Sequence, residues 1–324
     1  MSKTNKDNVK RWSVGGSRVV FGEALVDIGE QVSDVVAVTA DLADSTCVRP
    51  FAVRFPERFF QVGVAEQNLV GIASGLALGG KIPFATTFGS FAATRCCEQV
   101  RDDVAYPNLN VKLVGVLSGA SQGIVGVTHY GLEDLGIMRG FPNMVVLSPC
   151  DGAEVIKATW AAAKYVGPVY LRLTGLGNAP IIYQEDFLFE IGKAITLREG
   201  SDVALIATGS MVSRTLEVAE ILHKRGISAW VVDMHTIKPL DREVVELACK
   251  KYSLVVSIEE HSIIGGLGSA VAEVMAEQGN ASKLKRIGLP DAYLHFASYD
   301  GYLSQAGLSI PNIVNSVVEN LHHA

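Results

Sequence analysis

Short apolar runs rich in β-branched residues alternate with stretches of helical periodicity along most of the chain, and this alternation constrains the fold most strongly. In the first half, the strand-like runs are VVAVTA (35–40), PFATTF (83–88), VKLVGVL (111–117), MVVLS (144–148) and VYLRL (169–173). The helical stretches between them are Gln67 to Leu78, Phe91 to Val104 and Gly152 to Ala163, the last preceded by Asp151 as N-cap. Strands that are apolar throughout are covered on both faces, so the pattern predicts a parallel sheet flanked by helices over roughly residues 10–175.

The pattern changes after Arg172, where a connector containing glycine and proline extends to about Gly200. A second series follows, with strand-like runs VALIATG (203–209), AWVVDM (229–234), LVVSIEE (254–260) and LKRIGL (284–289). We therefore predict two α/β domains, each with a mainly parallel sheet flanked by helices. Their predicted limits are 1–175 and 201–324, joined by a linker at 176–200.

Composition excludes several classes of protein. The chain has 324 residues and a net charge of −6, and its 48% hydrophobic and 19% charged residues make it more apolar and less charged than the average soluble protein, which argues against intrinsic disorder. Without a run of Lys or Arg there is no electrostatic reason to expect nucleic acid or an anionic membrane as partner. No apolar stretch approaches the ~20 residues that span a bilayer, and the start, MSKTNKDNVKRW, lacks the apolar core of a signal peptide. The five cysteines form no CxxC or Cys/His pattern, so we expect a cytoplasmic protein without disulfides or zinc.

The segment FQVGVAEQN (60–68) places the carboxylate of Glu66 at a strand-to-helix junction. The first turn of a helix favours a negative charge, so Glu66 can be a capping carboxylate. The carboxyl ends of parallel strands also form ligand crevices, where a carboxylate can act as a proton donor. The motif alone leaves both interpretations open.

Other candidate residues are individually commonplace. Phe88 and Phe91, three residues apart at a strand end, suit either a core or a surface that stacks on a flat heteroaromatic ring. His129 lies in a glycine-containing loop and is either a surface residue or a catalyst. Arg and Ser side chains hydrogen-bond well to phosphate oxygens. The candidates are Arg18, near a predicted helix start, and Ser45 and Arg172, just after or within predicted strands.

The glycines in GGLGSA (265–270) follow a strand and open a predicted helix. Such a segment can cradle phosphate, but its spacing fits neither GxGxxG nor the P-loop. Tight packing of the helix on the sheet is the preferred interpretation.

Six segments in fixed order carry a family resemblance along most of the chain. They are ADLADS (40–45), FQVGVAEQNLVGIASGLA (60–77), FATTFGSFAATR (84–95), THYGLEDLGIMR (128–139), MVVLSPCDGAE (144–154) and EEHSIIGGLGSA (259–270). Together they resemble the pyrimidine-binding and C-terminal domains of transketolase, and the fit is best to the C-terminal subunit of split transketolases.

The resemblance implies thiamine diphosphate as cofactor. In such enzymes a glutamate holds a proton on the aminopyrimidine ring and favours its imino tautomer, and Glu66 matches this glutamate. Phe88 and Phe91 match the aromatic residues that hold the pyrimidine ring. Asp41 and Leu42 match the acidic and apolar residues beside the cofactor, of which the second supports its bent conformation.

The resemblance also implies a substrate site. His129 matches a histidine that contacts substrate oxygens, and Arg18, Ser45 and Arg172 match groups that bind the phosphate of sugar phosphates. The family has a second histidine and an aspartate nearby, where ungapped matching places Leu117 and Val125 in this chain, and Tyr130 replaces the usual Gln. The sugar preference is therefore not assigned.

One part of the family's site has no counterpart in this sequence. A diphosphate-binding domain has a Gly-Asp-Gly motif followed by Asn, whereas the only Asp-Gly pairs here are Asp151-Gly152 and Asp300-Gly301, in another setting. We assign no metal ligand to this chain. The resemblance implies a separate N-terminal subunit that holds a divalent metal such as Mg²⁺, and a heterotetramer containing two copies of each subunit.

The implied reaction is transfer of a two-carbon ketol unit from a ketose phosphate to an aldose phosphate, as in the pentose phosphate pathway. Two related interpretations remain open, the β subunit of a 2-oxoacid dehydrogenase first component and half of a 1-deoxyxylulose-phosphate synthase-like enzyme. The segments THYGLEDLGIMR and MHTIKPLD (234–241) favour transketolase over the dehydrogenase. A non-catalytic subunit that kept the fold is the alternative from a different class.

Overall fold

The computed structural model describes residues 6–175, 177–279 and 282–322, which form two α/β domains with one sheet each. Residues 1–5 of the N-terminal segment considered above lie outside these ranges. The first sheet contains β1 (Val35–Thr39), β2 (Phe59–Gln61), β3 (Ile82–Phe88), β4 (Lys112–Ser118), β5 (Val145–Leu147), β6 (Val169–Thr174) and β10 (Thr236–Lys238). Its strand order is β10-β5-β6-β4-β3-β1-β2, and every pair is parallel except β10 with β5. The predicted parallel sheet flanked by helices is confirmed.

The helices of the first domain cover both faces of this sheet. They are α1 (Lys6–Gln31), α2 (Arg49–Arg54), α3 (Glu66–Leu78), α4 (Gly89–Thr94), α5 (Cys97–Gln99), α6 (Asp134–Gly140) and α7 (Gly152–Lys164), with a 3₁₀ turn at Pro56–Arg58 and a π-helical turn at Val100–Ala105. Asp151 caps α7 as predicted, since its side chain accepts a hydrogen bond from the amide of Glu154 at 2.8 Å. The single helix predicted over Phe91 to Val104 is interrupted, because Cys96 adopts φ −120° and ψ 25° between α4 and α5.

The second sheet has the strand order β12-β11-β8-β9-β7. Its strands are β7 (Ile195–Arg198), β8 (Val203–Ala207), β9 (Ala229–Asp233), β11 (Leu254–Ser262) and β12 (Lys283–Leu289), and its helices are α8 (Met211–Lys224), α9 (Arg242–Lys251), α10 (Leu267–Gln278), α11 (Tyr299–Gln305) and α12 (Ile310–Leu321). All of these strands pair in parallel except β7, which pairs antiparallel with β9.

Two short strands belong to a different part of the fold from the one that the predicted domain limits give them. β7 lies inside the predicted linker but belongs to the second sheet. β10 comes from the second series and pairs with β5 of the first sheet, Thr236 opposite Leu147. The amide of Ser148 donates to the carbonyl of His235 at 2.8 Å and extends this pairing. The two domains are therefore joined by a shared sheet edge as well as by the connector.

The parallel arrangement brings several loops to one edge of the first sheet. β1 lies between β2 and β3 in the sheet. The next strand along the chain, β2, is therefore on one side of β1, and the one after it, β3, is on the other side. In open α/β sheets the crevice at such a switch point, beyond the carboxyl ends of the strands, is where ligands bind. No helix among the described residues has the length and apolar character needed to cross a membrane.

Candidate active site at the carboxyl edge of the first sheet

Glu66 is the first residue of α3, directly after the loop that follows β2. Its side chain is only about 5% exposed, and its Oε1 accepts a hydrogen bond from Nη1 of Arg95 at 3.0 Å. No side-chain cap is present at Ala65, so the carboxylate supplies the negative charge at this helix end. Glu66 is thus a nearly buried carboxylate paired with an arginine that is itself half exposed.

Three aromatic rings pack against one another beside this ion pair. Phe88 ends β3, Phe91 follows in α4, and His129 comes from the loop after β4. The ring centroids are 5.4 Å apart for Phe88 and Phe91, 5.7 Å for Phe88 and His129, and 5.4 Å for Phe91 and His129. The guanidinium of Arg95 lies 3.5 Å from the Phe91 ring centroid, so contacts run without a break from Glu66 to His129.

The loop after β1 places Asp41 and Leu42 at the same edge. Asp41 has a left-handed φ of 60°, and its amide donates to Oε1 of Gln61 at the end of β2, at 2.6 Å. Leu42 is half buried against the core of the first domain. The hydroxyl of Thr86 on β3 donates to that of Thr46 at 3.3 Å, which joins this loop to the strand that carries Phe88. The structure therefore brings the five proposed cofactor-binding residues to one edge.

The three proposed phosphate-binding residues do not stay together. Arg18 and Ser45 are neighbours, since Nη1 of Arg18 donates to the carbonyl of Ser45 at 2.9 Å and both side chains are partly exposed. Arg172, in contrast, is about 1% exposed on β6, where its Nε pairs with Oδ2 of Asp134 at 2.8 Å. Its Nη2 donates to the carbonyls of Gly131 and Glu260 at 3.0 and 2.9 Å. This enclosure contradicts the expected phosphate contact of Arg172 and assigns it a structural role.

The local structure shows the surroundings of the three residues that stand where the family has polar side chains. Leu117 is buried in the core of the first domain with a left-handed φ of 52°, at a register shift between β4 and β6. Val125 is about half exposed in the loop. Tyr130 is buried against Tyr302 with ring centroids 4.7 Å apart, and its hydroxyl donates to the carbonyl of Gly123 at 3.1 Å. Leu117 and Tyr130 thus serve packing.

The N-terminus of α10, which follows the glycine segment, binds a carboxylate of the chain itself. Glu259 accepts hydrogen bonds from the amides of Leu267 and Gly268, both at 2.7 Å. A Cβ on Gly266 would lie 2.0 Å from Oε2 of Glu259. The segment therefore permits close packing of α10 on β11, and the possible phosphate cradle is wrong because Glu259 already satisfies this helix N-terminus.

One group of metal-ligand types is close together among the described residues, and it lies at the junction of the two domains. Potential ligand atoms of Cys150, Glu154 and Asp233 are all within 4.8 Å of one another. Burial raises the pKa of Glu154 well above its ordinary value and that of Asp233 to about 7. A proton shared between the two carboxyl groups accounts for this arrangement without a metal ion. All five cysteines are free thiols.

A cavity of about 450 Å³ lies between the domains, beyond the carboxyl ends of β5 and β6, where Cys150 and Thr174 line it. Trp12, Ser17, Arg214 and Tyr299 are among its lining residues, but none of the nine proposed site residues is. The candidate site is instead an open edge, which a single chain does not enclose.

Sequence reasoning missed two residues of this edge, Arg95 and Gln61. Arg95 follows Phe91 by four residues, the spacing at which side chains of one helix meet, and this could have indicated its position over the Phe91 ring. The side-chain oxygen of Gln61 accepts hydrogen bonds from the amides of Asp41 and Gly63 and so joins the loops after β1 and β2. No local sequence pattern predicts these contacts.

Comparisons with known proteins identify the family of the chain. The pyrimidine binding domain of transketolase matches residues 16–175, and the C-terminal domain of transketolase matches residues 192–313. The chain is 45% identical to a protein described as a transketolase C-terminal section from Methanocaldococcus jannaschii, over 94% of this chain and 96% of that protein. It therefore belongs to the transketolase family, whose members depend on thiamine diphosphate.

More specific relatives place the chain among split transketolases. It is 44% identical to one of the subunits of an apulose-4-phosphate transketolase from Actinobacillus succinogenes, over 80% of this chain and 83% of that subunit. The structure of a split gene transketolase, an inactive beta4 tetramer, superposes with a TM-score of 0.87 at 42% identity, over 94% of this chain and 98% of that one. The chain is thus a subunit of the split transketolase type.

Undivided relatives are about twice as long. A 1-deoxy-D-xylulose-5-phosphate synthase from Desulforudis audaxviator is 36% identical over 92% of this chain but only 47% of its own length. A transketolase structure from Campylobacter jejuni shows the same fold with a TM-score of 0.77 at 21% identity, over 94% of this chain and 46% of that one.

Proposed function

We propose that this chain is the pyrimidine-binding half of a two-subunit, thiamine diphosphate-dependent transketolase that moves a two-carbon ketol unit from a ketose phosphate to an aldose phosphate. The observation that carries this proposal is the continuous set Glu66, Arg95, Phe91, His129 and Phe88 at the carboxyl edge of a parallel sheet. A nearly buried carboxylate beside aromatic rings suits a polar heteroaromatic ring, because the rings stack on it and the carboxylate hydrogen-bonds its edge.

The residues present fit the pyrimidine half of the cofactor. Glu66 would hold and move the proton on the aminopyrimidine. Its hydrogen bond with Arg95 would then be replaced by one with the ring. Phe88 and Phe91 would hold the ring, with Asp41 and Leu42 beside it. When bound, thiamine diphosphate supplies a thiazolium ring that delocalises the charge left by cleavage next to a carbonyl.

The substrate would lie at the side of the same edge that carries His129, which would donate to or accept from its oxygens. Arg18 and Ser45 are the remaining candidates for its phosphate, since they are adjacent and partly exposed. Phosphate contacts far from the reacting carbon mainly bind and orient the substrate. One relative described above is a subunit of an apulose-4-phosphate transketolase, so the proposal names no particular sugar as the ketose phosphate.

The diphosphate and a divalent metal such as Mg²⁺ would be held by a separate subunit. The chain spans about half of the undivided relatives, and the potential metal-ligand group found in the described residues is a buried pair of carboxyl groups with a thiol. The exposed face of α3 next to Glu66 offers a surface for that subunit. Gly71, Ile72, Gly75 and Leu78 lie on it, and nothing lies within 4 Å of a Cβ built on either glycine. Two copies of each subunit would form the proposed heterotetramer.

The test is to purify the chain with the diphosphate-binding subunit that copurifies with it and to assay three reactions. Ketol transfer between sugar phosphates is expected, whereas lipoyl-dependent oxidation of a 2-oxoacid, or 1-deoxyxylulose 5-phosphate formation from pyruvate, would support one of the alternatives. The chain alone is expected to show none of them. Full activity without a partner would refute the half-site.

Glu66→Gln tests the assignment of the proton-transferring residue. The variant keeps the shape of the side chain but not its acid–base function, so kcat of the complex is expected to fall by about 10²–10⁴. Glu57→Gln, an exposed glutamate in the turn before β2, is the control and should leave kcat unchanged. An unchanged kcat in Glu66→Gln would favour the non-catalytic subunit.

A further inference from the structure

The loop that carries His129, residues 119–131, is closed at its base by its own backbone. The amide of Gly119 donates to the carbonyl of Gly131 at 2.9 Å, and the amide of Gly131 donates to the carbonyl of Gly119 at 3.2 Å. Inside the loop, the amide of His129 donates to the carbonyl of Gly126 at 3.0 Å. The position of the base therefore determines where the His129 ring meets Phe88 and Phe91.

The second domain reaches this base through Glu260 on β11. Its Oε1 accepts a hydrogen bond from the amide of Ala120 at 2.6 Å. A Cβ on Gly119 would lie 2.3 Å from the same oxygen, and Gly119 has a left-handed φ of 69°. Glycine at 119 thus meets both the conformation and the close approach that this contact requires.

Glu260 is itself held rigidly. Its Oε2 accepts hydrogen bonds from the hydroxyl of Ser210, which precedes α8, and from that of Tyr299 in α11, the latter at 2.5 Å. Nη2 of Arg172 donates both to the carbonyl of Glu260 and to that of Gly131. One end of the loop is therefore bonded to the side chain of Glu260, which is about 1% exposed, and the other is linked to its main-chain carbonyl through Arg172.

We propose that Glu260 is a positioning residue through which the second domain holds the loop 119–131, and with it His129, against the rings of the active site. This inference rests on the proposed function for the role of His129, but the anchoring of the loop does not depend on it. It assigns the second domain a direct part in shaping the substrate site.

Hydrogen exchange of the full chain, followed by mass spectrometry on peptides that cover residues 119–131, tests the anchoring. Glu260→Ala removes the acceptor of the Ala120 amide, so exchange in these peptides is expected to accelerate by at least about tenfold. Glu260→Gln keeps an acceptor oxygen and should restore most of the protection. If Glu260→Ala does not fold, Tyr299→Phe, which removes one support of the carboxylate, should accelerate the same peptides to a smaller extent.

Glu259→Ala is the matched control. Glu259 is the neighbouring glutamate on the same strand, equally buried, and its carboxylate accepts from the amides of Leu267 and Gly268 within the second domain. It should leave exchange in residues 119–131 unchanged relative to the wild type. Equal acceleration by Glu259→Ala and Glu260→Ala, or no protection by Glu260→Gln, would overturn the proposal.

Kinetics of the complex with the partner subunit test the consequence for catalysis. Glu260→Ala is expected to raise KM for the sugar phosphate by about tenfold and to leave the affinity for thiamine diphosphate unchanged, because His129 is assigned to the substrate. A fall in kcat with unchanged KM would contradict the role in substrate positioning. If the wild-type complex shows no ketol transfer, the proposed function fails while the exchange experiment still reports on the anchoring.

Discussion

At the scale of single residues, the junction of the two domains depends on a pair of buried acids. Tyr183 donates its hydroxyl to Oδ2 of Asp233 at 2.8 Å, and the amide of Cys150 donates to Oε2 of Glu154 at 2.7 Å. The remaining oxygens, Oε1 of Glu154 and Oδ1 of Asp233, are buried without another partner. A proton between them satisfies both, and burial favours this because it raises the pKa of each acid.

Asp233→Asn should change how stability depends on pH. The pKa of Asp233 in the folded protein is raised to about 7, so the folded chain holds more protons than the unfolded chain between about pH 4 and pH 7. The stability from this additional proton on Asp233 is complete below about pH 4 and is lost as the pH rises to about 7. Asn supplies a permanent N–H, so urea unfolding should show the variant gaining at least about 1 kcal/mol relative to the wild type between pH 5 and pH 8.

The exposed Asp291 provides the control for this titration. Asp291→Asn should keep a constant difference in unfolding free energy from the wild type over the same pH range. A constant difference for Asp233→Asn as well would show that Asp233 holds no additional proton in the folded chain.

At the scale of secondary-structure elements, glycines have opposite roles in α3 and before α10. Gly266 permits α10 to approach β11, where the carboxylate of Glu259 satisfies the first amides of the helix. Gly75 lies on the exposed face of α3, and a Cβ there would have nothing within 4 Å. Position 266 therefore requires glycine for packing within the chain, whereas position 75 does not.

A pair of Gly→Ala variants tests this contrast by urea unfolding of the isolated chain. Gly266→Ala should lower the unfolding free energy by about 1–3 kcal/mol, since its methyl group displaces a buried carboxylate from its amide donors. Gly75→Ala should raise it by about 0.5–1 kcal/mol, because alanine loses less backbone entropy in a helix. Destabilisation by Gly75→Ala would mean that this helix face is packed in the isolated chain.

Sequence patterns predicted most of the buried strands well, but they missed α1, the longest helix, and three of the short strands. Most of the buried strands, such as β4 and β8, lie within about two residues of their apolar runs, because burial on both faces requires an unbroken apolar sequence. β2, β7 and β10 have only three or four residues each, which leaves too little pattern to detect, and β2 and β7 contain no buried position.

The candidate site shows the same limit. Roles for Glu66, Phe88 and His129 could be proposed because these residues lie in segments that carry the family resemblance. The partner of Arg172 could not, because Asp134 lies 38 residues away in sequence and only the fold brings their side chains together. A strand arginine has the same local pattern whether it faces a phosphate or a buried carboxylate.

At the scale of the whole molecule, the open edge beside Glu66 predicts where a second subunit binds. Leu78 is about 75% exposed on the face of α3 that carries Gly71 and Gly75. Leu78→Glu places a charge on this face, and burying it in an interface costs free energy. The variant should copurify with much less of the partner subunit, while the thermal midpoint of the isolated chain stays unchanged.

Val166→Glu is the matched control for this experiment, since Val166 is similarly exposed in the loop after α7. It should copurify with as much partner as the wild type does. Equal loss of partner in both variants would exclude α3 as the specific docking face.

The pairing of β10 with β5 has a consequence for how a protein of this kind can be divided. A gene cut between the two domains would leave the backbone groups of β5 unpaired at an open sheet margin, where a second molecule can add its own strand. Fragments made that way would tend to exchange strands or aggregate.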